Sequence, residues 1–155
     1  MSVTGSAQYD LLVQFLEETF DGHHGIYLDK DTNLFVTLAG ISHEVASIPV
    51  GKGCATLAAQ VKHTSFYIQV LLGELTAKPL KEVDWNDIWE TVGAVNAEEW
   101  TGIVAELKSE YQRVHDTMRN IDDWSNGDTV GPIIAIITHS AYHLGEIRQA
   151  LCTLR

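Results

Sequence analysis

Residues 96–121, NAEEWTGIVAELKSEYQRVHDTMRNI, decide the fold class. Asn96 can cap a helix, and Glu99 three residues on completes a capping-box pattern. Trp100, Ile103, Val104, Leu107, Tyr111, Val114, Met118 and Ile121 then recur in steps of three and four. That spacing puts all of them on one stripe of an α-helix, the seam of a helix bundle.

The flanking sequence repeats the theme. Tyr9, Leu12, Val13, Leu16 and Phe20 make a similar stripe in a first helix over 6–21, with Gly22 as its stop. A second helix is predicted over 54–74, with Thr56, Ala59, His63, Phe66 and Val70 on one face. Between these two lies a long irregular connection, residues 23–53, broken by glycines and Pro49, in which TNLFVTLAG suits a short helix. Residues 80–95 read as a packed connection, with Asp84 as a cap for a short helix and Trp85 and Trp89 as its apolar content. After a turn at 124–131, Pro132 suits the first turn of a fourth helix that runs nearly to the C-terminus. Four main helices and no convincing strand predict a single all-α domain over 1–155, a four-helix bundle.

Composition narrows the function classes. The formal charge is −11, from 21 acidic and 10 basic side chains, which disfavours nucleic acid and anionic membrane as partners. Polar residues such as Lys62, Gln69, Glu74 and His139 interrupt every apolar run before it reaches membrane-spanning length. The start MSVTGSAQYD has neither the basic end nor the apolar stretch of a signal peptide, so a cytoplasmic location is expected. Cys54 and Cys152 form no CxxC pair and read as reduced, partly buried thiols.

The chemistry concentrates in ITHSAYHLGEIRQAL, residues 137–151. His139 and His143 are four residues apart, so on a helix they share a face, and Glu146 lies three further along it. Ala135 and Ala150 mark that face as core-directed, where polar groups need partners. Two imidazoles hold an ion poorly, and a third ligand must come from another segment. His63, mid-way along the second helix on an apolar face, is the natural one, because bundle interiors are where facing helices build metal sites. Three neutral imidazoles suit Zn²⁺, Ni²⁺ or Fe²⁺ and leave a coordination position for water or substrate. Glu146 reads either as a ligand or orienting partner of an imidazole, or as a catalytic general base. Gln60, one turn before His63, is within hydrogen-bonding reach of the same place. His23, His24, His43 and His115 carry no predicted role. The run Asp29, Asp31, Asn33 imitates an EF-hand start, but Leu34 and Gly40 stand where that loop requires Gly and Glu.

The segments HSAYHLGEIRQ and CATLAAQVKHTSFY resemble the DinB/YfiT-like family of small metal-binding four-helix bundles. His139, His143 and Gly145 fit its histidine-pair pattern, His63 matches its first metal histidine, and Glu146 stands where many members carry Gln. ISHEVASIPVGKG also resembles the run ahead of the family's second helix. The resemblance implies a divalent metal on three histidines, a homodimer, and a small-molecule substrate. It further implies an enzyme that transfers or adds a low-molecular-weight thiol to a small electrophile. The alternatives are a metal-dependent hydrolase and a non-catalytic, stress-related metal-binding bundle.

Overall fold

Thr56 opens the helix that carries the first candidate ligand: its hydroxyl accepts from the Ala59 N–H, and α-helix follows over Leu57–Leu75. The structure, a computed structural model, describes residues 7–154. In chain order the helices are α1 (Ala7–Phe20), α2 (Leu34–Ala39), α3 (His43–Ala46), α4 (Leu57–Leu75), α5 (Asp87–Thr91), α6 (Ala97–Arg119) and α7 (Gly127–Leu154). Among the described residues the protein is all-helical, and the sole extended pairing is an isolated bridge between Pro49 and Thr56. Among the described residues, no helix is long and apolar enough to cross a membrane. The predicted start of the first helix at Ser6 lies outside the described residues.

Four long helices make the frame. α4 packs against α6 and α7, and α1 packs against the same two. The stripes predicted for α1 and α6 supply the core: Leu16, Phe20, Leu107, Val114 and Met118 are fully or almost fully buried, with Ile68, Leu72, Ile133, Ile136, Leu144 and Ile147 from α4 and α7. The capping box at the start of α6 forms in both directions, between Asn96 and Glu99.

Several features differ from the predicted ones, among them the start of α4, at Leu57 rather than residue 54. α7 begins five residues before Pro132, because Asn126 caps it through its side chain and its carbonyl. Pro132 then costs a single helical hydrogen bond, to the carbonyl of exposed Asp128. Asp84 does not cap α5; its carboxylate accepts from the Asn86 N–H in a local turn. The connection after α1 is less irregular than expected, since Asn33 and Ser42 cap the short helices α2 and α3. Its first part is organised by Glu18, a fully buried carboxylate that accepts from the backbone N–H groups of His24, Ile26, Tyr27 and Leu28. Both cysteines are free, but they are exposed rather than partly buried, Cys54 in the loop before α4 and Cys152 on the outer face of α7.

α4 ends in a Schellman motif. The Lys78 N–H bonds the Gly73 carbonyl and the Ala77 N–H bonds that of Glu74, with Ala77 in the left-handed region at φ 56°. Gly73 is required here, because a Cβ would stand 2.9 Å from the Lys78 oxygen. This tight reversal turns residues 78–91 back along α4, so that Trp85 and Trp89 arrive over His63.

A candidate three-histidine metal centre

α4 and α7 pack on each other, and their facing polar positions bring the three predicted ligands together. The Nε2 atoms of His139 and His63 are 3.2 Å apart, and those of His143 and His139 are 3.1 Å apart. All three ligand atoms lie within 4.8 Å of one another. Three nitrogens each about 2.0–2.1 Å from one ion at tetrahedral angles stand roughly 3.3 Å apart. The cluster therefore has the dimensions to hold a divalent ion. No other group of three or more candidate ligands qualifies among the described residues, and Glu146 is not in this one.

The imidazoles are set up as neutral donors. His63 and His143 are buried and His139 is half-buried. Burial, then the neighbouring His143, brings the His63 imidazole down to about 4, against a smaller upward pull from Glu146. His139 is likewise brought down to about 4 by burial and by the other two histidines. Burial also lowers His143, opposed by the Glu146 carboxylate. Unprotonated imidazole is the form that binds a metal.

Glu146 fixes one tautomer. Its Oε2 accepts from His143 Nδ1 at 2.8 Å, one turn back along α7. With the proton held on Nδ1, the His143 Nε2 presents its lone pair to the centre, the usual carboxylate–histidine–metal arrangement. This contact is the one an orienting partner makes. Arg148, on the same helix, donates to the Thr37 hydroxyl at 3.2 Å and not to Glu146.

Four aromatic rings enclose the triad. Tyr67 stacks on His139 with centroids 3.6 Å apart, and Trp89 lies 4.5 Å from His63. Trp85 closes the side towards Phe66 and Tyr67. Tyr142 flanks His143, with ring centroids 5.1 Å apart. Trp85, Trp89 and Tyr142 keep 40%, 37% and 62% of their surface exposed, so the walls face solvent on their outer side. Sequence reasoning gave these rings no role at the site. Tyr67 had a signal, four residues after His63 on the same helix face; the indoles had none, since their approach depends on the chain reversal after α4.

The remaining histidines lie elsewhere. His24 pairs with Glu17 at 2.7 Å, buried His115 bonds the Tyr111 hydroxyl, and His43 lies beside Glu44. His23 and these three are outside the cluster.

No family model matches the chain, and neither the curated proteins nor the solved structures contain a match to it.

Proposed function

We propose that the protein is a divalent-metal-dependent enzyme of the DinB-like four-helix type that adds or transfers a low-molecular-weight thiol to a small electrophile. The observation that carries the metal reading is the convergence of three imidazole Nε2 atoms from α4 and α7. Three protein ligands leave a position open, which is the mark of a catalytic rather than a closed structural site. The thiol chemistry and a homodimeric assembly rest on the family resemblance. A bound Zn²⁺, Ni²⁺ or Fe²⁺ supplies Lewis acidity that lowers the pKa of a thiol or water.

The chain's own groups do the rest. His63, His139 and His143 hold the ion, and Glu146 keeps the His143 tautomer in place. Trp85, Trp89 and Tyr67 shed water from the inner wall and offer flat apolar surface to the non-reacting part of a small substrate.

The test begins with the metal content of the purified protein and of His63→Ala. Bound metal in the first and its loss in the second tie α4 and α7 to one ion; equal metal in both overturns the reading. A panel of thiols with an alkylating electrophile then separates the chemistries. Turnover that persists in thiol-free buffer would make the protein a hydrolase. Chelation that unfolds the chain, with no turnover of any kind, would leave a structural or sensory metal.

A further inference from the structure

Among the described residues, three buried side-chain polar atoms have no hydrogen-bond partner: Gln60 Oε1, His63 Nδ1 and Ser140 Oγ. Ser140 has a local remedy. Thr19, Thr64, Thr76 and Thr138 each donate to the carbonyl four residues back, and rotation about χ1 offers Ser140 the Ile136 carbonyl in the same way. An imidazole nitrogen and an amide oxygen have no such outlet. Gln60 and His63 lie three residues apart on α4, adjacent on its surface, and one is an acceptor while the other can be a donor.

Which role His63 Nδ1 plays depends on the other ring nitrogen. Without an ion, the imidazole proton can sit on Nε2, directed at His139 Nε2 3.2 Å away. Nδ1 is then a bare acceptor, and it and Gln60 Oε1 make no hydrogen bond to each other. An ion on Nε2 expels that proton, and the neutral ring must carry its hydrogen on Nδ1. His143 meets the same requirement with Glu146. A buried N–H without an acceptor would weaken the metal complex.

We infer that Gln60 is a positioning residue of the metal centre, its Oε1 accepting the His63 Nδ1–H in the ion-bound state. The inference rests on the metal reading above. It also assigns the two buried ligands unlike partners, a carboxylate for His143 and a neutral amide for His63. The amide keeps Glu146 as the one anionic partner and so holds down the negative charge around the ion.

The test is zinc affinity by competition with a chromophoric chelator, for wild type, Gln60→Leu, Gln60→Glu and Ser140→Ala. Loss of an outer partner of this kind typically costs 10–100-fold in metal affinity, and that loss is expected for Gln60→Leu. Gln60→Glu should bind more tightly than wild type, because a carboxylate makes the ring a stronger donor. Ser140→Ala should match wild type. ¹⁵N-histidine spectra of the zinc-loaded protein should show a slowly exchanging His63 Nδ1–H in wild type and Gln60→Glu, lost in Gln60→Leu. Unchanged affinity in Gln60→Leu with that proton still protected overturns the inference and leaves the metal reading intact. Where Gln60→Leu does not fold, affinity in Gln60→Glu equal to or below wild type overturns it. Absence of metal binding by wild type overturns both.

Discussion

Glu146 Oε2 lies 2.8 Å from His143 Nδ1, while the Nε2 of the same ring points at His139 Nε2, 3.1 Å away. One carboxylate thus decides which nitrogen of a buried imidazole is free to bind. Glu146→Ala should lower divalent-metal affinity by about 10–100-fold, with Glu146→Gln intermediate because its amide oxygen still accepts. Titration calorimetry with zinc reads this directly. Glu146→Ala with wild-type affinity but a lost limb in the pH–rate profile would instead make Glu146 the general base.

The depressed imidazoles make the metal-free protein acid-sensitive. His63 and His139 sit near pKa 4 in the folded chain against 6.5 as the ordinary value. Between those values the unfolded chain binds more protons than the folded one, so stability falls as pH drops from about 6.5 towards 4. With chelator present, Tm should decline through that window. The decline should be shallower in His63→Ala, which removes one of the two groups, and scanning calorimetry at stepped pH checks it.

Glu18 has the opposite linkage. Burial raises its carboxyl, but the N–H groups of Leu28, Ile26, Tyr27 and His24 outweigh that and bring it to about 2. Its contribution is therefore complete above 4.5, the unfolded value, and is lost as pH falls towards 2. Glu18→Ala removes a fully buried acceptor from four backbone donors and should cost about 2–4 kcal/mol. Amide exchange in residues 24–28 should rise before global unfolding, and unchanged protection there would refute the role.

The reversal that brings the indoles to His63 is open to paired tests. Gly73→Ala sets a Cβ against the Lys78 carbonyl at 2.9 Å and should destabilise by about 1–3 kcal/mol. Ala77→Gly relieves a left-handed residue at φ 56° and should stabilise by about 1 kcal/mol. Urea unfolding measures both. Trp fluorescence should shift in Gly73→Ala, because Trp85 and Trp89 hang from this turn.

The helical frame was legible in the chain because its signals are local. The step-three and step-four stripes of α1 and α6, the Asn96–Glu99 cap and the stop at Gly22 each follow from neighbours within a turn or two. The start of α7 is not legible from Pro132, which suits a first turn yet stands five residues inside a helix that Asn126 caps. Asp84 is ambiguous in the same way, because a short acid can either cap a helix or close a local turn.

Residue type and spacing along a helix are one-dimensional facts, and they suffice for the helical class and for His63, His139 and His143 as candidate ligands. The meeting of α4 and α7 with those Nε2 atoms in one cluster, the placing of Glu146 against Nδ1, and the wall of Trp85 and Trp89 all come from the packing. Those contacts join residues such as His63 and His139, 76 positions apart, and a distance in space between remote segments is set by how helices pack, which no local pattern encodes.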